Sequence, residues 1–109
     1  MVLSKDQIDF YNDQGYLMVE EVITETQHKE MLELIKGFFD KSRIVSENND
    51  IFDLEDDHSK NNPRLKRVKQ PHKHTPFFLD IIKESKIEGI LIDLLGNDIS
   101  LKTSKLNTK

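Results

Sequence analysis

Residues 53–74, DLEDDHSKNNPRLKRVKQPHKH, carry ten of the 36 charged side chains of this 109-residue chain. The stretch begins with an acidic block, turns at Asn61-Asn62-Pro63 and continues with a basic block. Asparagine and proline favour chain reversals, so we expect the two blocks to face one another. The stretch also contains the histidines His58, His72 and His74. If the chain carries a site, we expect it here, although these residues alone fix no mechanism.

The acidic block offers carboxylates to a hard cation but lacks the glycine and the spacing of a calcium loop. The favoured interpretation is a solvated loop neutralised by the basic block. His72 and His74 would share one face of a strand, yet two histidines without a third ligand make a weak metal site. We therefore assign no metal ligands and leave open the roles of His72, His74 and residues 53–58. The acidic block consists of Asp53, Glu55, Asp56 and Asp57.

The basic block suits a small anion or a carboxylate, because arginine offers a two-pronged set of donors to either. It has no interleaved aromatic residues, and the chain carries a net charge of −4. Both features argue against nucleic acid, and the net charge also argues against an anionic membrane as a main partner. The block consists of Arg64, Lys66, Arg67 and Lys69.

Helix signals flank this stretch on its N-terminal side. Capping boxes at residues 4–7 and 24–27 predict two helix starts, and Gly15 is expected to end the first helix. Residues 16–19 are apolar and predict a short strand between the helices. The second helix carries an apolar stripe at i, i+3, i+4 and i+7, which indicates one buried face. The stripe is formed by Met31, Leu34, Ile35 and Phe38, and the helical pattern fades after Phe39.

On the C-terminal side, residues 65–69 predict a short strand or extended segment that ends at Pro71. Thr75-Pro76 and Ser85 predict the starts of two further helices, and Gly96 predicts the end of the second. Residues 99–108 alternate in the manner of a strand and place Lys105 and Asn107 on the same face.

Composition sets the broad class. Apolar residues make up 36% of the chain, and even with its 4 glycines it falls below the roughly 45–50% of globular domains. Residues 1–109 are thus interpreted as one region of a larger domain. The chain has no cysteine, which excludes disulfides and a thiol nucleophile. No apolar run is long enough for a membrane span and no signal peptide is evident, so we expect a cytoplasmic protein. The alternative is a small α+β protein-interaction domain without catalysis.

Three segments taken together resemble a known family: residues 3–24, LSKDQIDFYNDQGYLMVEEVIT; residues 53–78, DLEDDHSKNNPRLKRVKQPHKHTPFF; and residues 90–109, ILIDLLGNDISLKTSKLNTK. Their order and spacing resemble the N-terminal part of the phytanoyl-CoA dioxygenase family, which are non-haem Fe(II) and 2-oxoglutarate-dependent oxygenases. The resemblance implies an α+β fold in which N-terminal helices join the first strands of an incomplete double-stranded β-helix, or jelly-roll.

The resemblance also implies functional residues. In that family a His-x-Asp pair and a distant histidine hold the iron, and none of these ligands has a counterpart here. We therefore expect an N-terminal fragment that is inactive alone and binds neither Fe(II) nor 2-oxoglutarate by itself, from a parent that hydroxylates a small metabolite or lipid-like acid. Two family contacts to 2-oxoglutarate fall at Arg67, with Lys66 as the alternative if the register slips by one, and at Lys105. Asn107 would lie on the substrate side. Solvated surface positions are the alternative for both cations, and the oligomeric state stays open.

Overall fold

The computed structural model describes residues 1–108, which form five helices and three strands. The predicted α+β class is confirmed, and the jelly-roll stays a prediction. The elements follow in the order α1 (Lys5–Gln14), α2 (Glu25–Ser42), β1 (Phe52–Leu54), β2 (Leu65–Lys69), α3 (Pro71–His74), α4 (Phe77–Glu84), α5 (Ile87–Leu95) and β3 (Lys105–Asn107).

Local capping decides where the first two helices begin. The Gln7 backbone N–H donates to the Ser4 hydroxyl at 3.2 Å, and the Ser4 backbone N–H donates to the Gln7 side chain at 2.9 Å. Residues 24–27 repeat the same reciprocal pair at the start of α2. Gly15 ends α1 in the left-handed conformation, with a φ of 82°, and its N–H donates to the Tyr11 carbonyl. Both capping boxes and the glycine stop are confirmed, since each depends only on residues close in sequence.

The sheet is antiparallel throughout, with strand order β1-β2-β3. One face of β1 and β2 packs against α2 to form the core of this half of the molecule. Aromatic contacts extend that core to α4, because Phe38 of α2 lies 6.4 Å from the rings of both Phe52 and Phe78. The buried core cluster consists of Phe38, Phe52, Leu54, Leu65 and Val68.

A second packing unit joins α1, α4 and α5, with buried side chains at Leu3, Ile81 and Ile90. Asp93 of α5 ties the N-terminal residues to it. Its Oδ2 atom accepts the backbone N–H of Val2 at 2.7 Å and that of Leu3 at 2.8 Å. The Leu3 N–H, with help from Val2, holds the pKa of the Asp93 carboxyl below its usual value.

Four local predictions differ from the structure. Residues 16–19 form no strand, and the nearest ring to Tyr16 is that of Phe10, in an edge contact at 5.3 Å. The last strand covers only Lys105–Asn107 of the predicted residues 99–108, because its neighbour β2 ends at Lys69. Helix α2 extends to Ser42 instead of fading after residue 39. Helix α4 begins after Pro76 without a side-chain cap.

The segment after Pro71 also differs, because residues 71–74 form the short helix α3 and not an extended chain. Gln70 precedes it in the left-handed conformation, with a φ of 50°, and this turns the chain out of the sheet. The Gln70 side chain holds the end of the ladder by accepting from the Ser104 N–H and donating to the Thr103 hydroxyl.

Within residues 1–108, no helix combines the length and the apolarity that crossing a membrane requires.

Candidate functional site

A β-bulge in β2 builds the candidate site. Phe52 pairs with Val68 and Asp53 with Arg67, but Leu54 pairs with Leu65, so Lys66 is an extra residue in β2. A bulge of this kind interrupts the strict alternation of side chains along the strand. It lets Leu65 and Val68, three residues apart, both reach the core. Lys66 and Arg67 are thereby left together on the side away from the core.

The resulting cleft has a volume of about 440 Å³ and is lined by Lys66, Arg67, Lys105 and Asn107. Register explains the set, since Arg67 of β2 pairs directly with Asn107 of β3 and Lys69 pairs with Lys105. The structure thus brings the two predicted cosubstrate contacts, Arg67 and Lys105, to one place. Lys66, predicted only as an alternative to Arg67, lines the same cleft beside it. Whether these residues bind 2-oxoglutarate stays a prediction.

Asp53 of β1 flanks the cleft and pairs with two of the surrounding cations. Its Oδ2 atom lies 3.3 Å from Nε of Arg67, and its Oδ1 atom lies 3.1 Å from Nζ of Lys69. The Arg67 Nε atom is buried and lacks an aligned hydrogen bond among the described residues, so its contact with Asp53 is an ion pair of imperfect geometry. These side chains are between a fifth and two-fifths exposed, which places the pairs in a setting of intermediate solvent screening.

Asp53 is the residue beside the cleft that sequence reasoning did not single out from the acidic block. The sequence showed opposed acidic and basic blocks around a turn, and this part of the prediction is confirmed, since Arg64 also pairs with Asp57 at 3.8 Å. Which acid meets which cation depends on strand register. The bulge sets that register, and no local pattern in residues 53–69 reveals it.

His58 holds the turn together and is not placed as a ligand. Its Nδ1 atom accepts the Arg64 backbone N–H at 2.8 Å. Its Nε2 atom lies 2.9 Å from the Ser42 carbonyl oxygen, so the second contact requires the proton on Nε2. Both ring nitrogens are therefore engaged in joining the turn to the end of α2.

His72 and His74 point to separate partners because they lie on helix α3, where residues two apart diverge. The His72 Nδ1 atom contacts the Ser104 hydroxyl, and the His74 Nε2 atom contacts the Lys69 carbonyl oxygen at 2.9 Å. The shared face that a strand would give these two histidines therefore does not occur. Among residues 1–108, no three histidine, aspartate or glutamate side chains are grouped so as to hold a metal ion.

Among curated proteins, the chain is similar to a probable alpha-ketoglutarate-dependent hypophosphite dioxygenase from Stutzerimonas stutzeri. The two are 27% identical over 99 residues, which is 91% of this chain and 35% of that protein. The chain thus spans about a third of the length of the curated relative that it matches. No family model matches the chain, and no solved structure matches it. The similarity is a distant one to a dioxygenase that depends on 2-oxoglutarate, which is another name for alpha-ketoglutarate.

The two cofactors that this similarity implies fit the described residues differently. A 2-oxoglutarate carboxylate suits the cleft, because three cations and an amide line it. Iron does not fit residues 1–108, because they bring no set of three ligands together. The side chains that line the cleft thus offer donors that suit an anion.

Proposed function

We propose that this chain corresponds to the N-terminal, cosubstrate-binding region of an Fe(II)/2-oxoglutarate-dependent dioxygenase resembling the phytanoyl-CoA dioxygenase family. The observation that carries the proposal is the cleft in which Arg67 and Lys105 meet. The distant similarity to a 2-oxoglutarate-dependent dioxygenase supports it independently. In the proposed complex, Arg67 binds one carboxylate of 2-oxoglutarate, Lys105 the other, and the Asn107 amide completes the set.

The size and charge of the cleft support this assignment. A volume of about 440 Å³ falls within the roughly 300–1,000 Å³ typical of small-molecule sites. Lys66, Arg67 and Lys105 provide three positive charges, and Asp53 offsets one of them from the side. The remaining excess of positive charge suits a ligand that carries two carboxylates.

The sheet geometry also supports the jelly-roll fold that the family resemblance implies. In β3, the register directs the backbone groups of Ser104, Leu106 and Thr108 toward β2, as the Thr108 N–H to Lys66 carbonyl bond shows. The backbone groups of Lys105 and Asn107 therefore point to the other side of the strand, where residues 1–108 place no neighbouring strand. A further strand pairing along this edge would extend the sheet in the way a β-helix requires.

We further propose, in place of the expectation that the chain alone binds no cofactor, that the chain binds 2-oxoglutarate without turning it over, because residues 1–108 bring no set of iron ligands together. The parent would hydroxylate a small metabolite or a lipid-like acid. Incubation of the chain with Fe(II), ascorbate, oxygen and 2-oxoglutarate is expected to yield no succinate above a protein-free control. Robust succinate formation would show that the ligand set exists after all.

Calorimetric titration of 2-oxoglutarate tests the cosubstrate site. Removing Arg67 (Arg67→Ala) is expected to weaken binding by about ten- to a hundredfold, because hydrogen bonds to charged groups contribute roughly 1.5–3 kcal/mol. The matched control is Arg64→Ala, which removes the same charge from the same block outside the cleft and should change affinity by less than about threefold, as for a screened surface charge. Equal losses in both variants, or no binding by the unaltered chain, would contradict the proposal.

A further inference from the structure

The position of Asp53 carries an inference beyond cosubstrate binding itself. Asp53 lies directly across the strand pair from Arg67, on the side of β2 opposite to β3. The cleft lies on the other side of Arg67, between β2 and β3. The Arg67 side chain is therefore contacted by an acid from one strand while it lines a cavity formed with another.

The atoms in contact define what Asp53 does to Arg67. The carboxylate meets Nε, the guanidinium nitrogen nearest the backbone, at 3.3 Å. A contact at Nε leaves the two terminal nitrogens, the pair that binds a carboxylate in parallel geometry, available to a ligand. The same carboxylate holds Nζ of Lys69 at 3.1 Å, and Lys69 is absent from the residues lining the cleft.

We propose that Asp53 is a positioning residue for the cosubstrate site. It anchors the Arg67 guanidinium by its Nε side so that the terminal nitrogens face the cleft, and it keeps Lys69 outside. The inference rests on the proposed function, because the ligand to which Arg67 is presented is the 2-oxoglutarate carboxylate. Asp53 itself touches no ligand in this arrangement.

The direction of the affinity change in one variant distinguishes a positioning role from a purely electrostatic effect. Asp53 is negative and lies near the cleft, so Coulomb's law alone predicts that Asp53→Asn binds a dianion more tightly. Anchoring predicts the opposite, since a guanidinium freed from its partner must be ordered again when the ligand binds. We expect Asp53→Asn to weaken 2-oxoglutarate binding about fivefold or more, even though it removes a repulsive charge.

Three companion variants sharpen the test. Asp53→Glu keeps the charge but moves the carboxylate by one methylene, so a loss of affinity there reports geometry alone. Asp57→Asn is the matched control, because Asp57 also pairs with an arginine of the basic block but lies outside the cleft. In an Arg67→Ala background, Asp53→Asn should no longer weaken binding, because the side chain to be positioned is gone.

A second measurement does not depend on 2-oxoglutarate. The ¹⁵N heteronuclear NOE of the Arg67 Nε–H group is expected to report a rigid side chain in the unaltered protein and a mobile one in Asp53→Asn. If the unaltered protein fails to bind 2-oxoglutarate, the proposed function falls and this NOE alone decides the anchoring. Equal or tighter binding by Asp53→Asn, or an unchanged NOE, would overturn the inference. If Asp53→Asn fails to fold, Asp53→Glu supports both comparisons.

Discussion

Replacing Val68 by alanine removes packing directly beneath the cleft. Val68 is completely inaccessible to solvent and lies in the central strand between Arg67 and Lys69. The substitution removes two methyl groups, worth about 1.6 kcal/mol at ~0.8 kcal/mol per buried carbon. Incomplete collapse of the space left behind adds about 1 kcal/mol. We therefore expect Val68→Ala to lower the free energy of unfolding by about 2.5 kcal/mol.

Urea unfolding followed by circular dichroism at 222 nm measures this change. With a denaturant slope of roughly 1–3 kcal/mol/M, the unfolding midpoint should fall by about 0.8–2.5 M at an unchanged slope. The control is Ile44→Ala, which truncates an aliphatic side chain that is 86% exposed and should cost less than about 0.5 kcal/mol. If Val68→Ala cost no more than Ile44→Ala, the sheet would not bury the face described here, and the opposite face could not carry the cleft.

Two further predictions concern the helices, one at glycines of α2 and α5 and one at Asp93 of α5. Gly37→Ala should stabilise the protein by about 0.5–1 kcal/mol, because a Cβ at this position meets no neighbour. Gly89→Ala should lose that gain, because its Cβ would overlap the Val2 side chain. Equal shifts in melting temperature for the two variants would contradict this packing. The pKa of Asp93 is lowered in the folded protein, so its carboxylate stabilises the fold at pH values above the unfolded-state pKa of about 3.8. This stabilisation is lost as the pH falls through the lower pKa of the folded state. The melting temperature of Asp93→Ala should thus lie below that of the unaltered protein at pH 7 and approach it as the pH is lowered below 3.8. Asp98→Ala, which removes an exposed carboxylate, is the control. A difference that stays constant with pH would contradict this account.

Signals confined to neighbouring residues predicted the structure well. The capping boxes at Ser4 and Thr24 place both partners of each hydrogen bond within three residues, so the sequence alone specifies them. Gly15 ends α1 for an equally local reason, since it adopts a positive φ without strain. The α+β class was implied by the family resemblance, and the helical stripes beside short alternating segments agree with it.

Features that depend on pairing between distant residues were not predictable in the same way. Residues 16–19 have an apolar strand-like composition, but a strand forms only where a neighbour supplies hydrogen bonds. The extra residue at Lys66 becomes visible only when Asp53 and Leu54 are paired with β2. The histidines of α3 diverge because Gln70 turns the chain before them. No pattern in the residues around Gln70 predicts that turn.

The candidate site depends both on local residue chemistry and on pairing between distant residues. The predicted contacts, Arg67 and Lys105, lie 38 residues apart in sequence yet line one cleft, since the antiparallel pairing of β2 with β3 joins them. Their suitability for a carboxylate follows from their chemistry alone. The role proposed for Asp53 follows only from the register, because three other acidic residues lie within the next four positions.

The measurement that tests the central claim most directly is a titration of 2-oxoglutarate into ¹⁵N-labelled protein, followed through backbone amide shifts. The proposed site predicts saturable shifts concentrated at Lys66, Arg67, Lys105 and Asn107, with residues of α1 and α5 unchanged. Shifts centred elsewhere, or none at millimolar ligand, would contradict the assignment of this cleft to the cosubstrate.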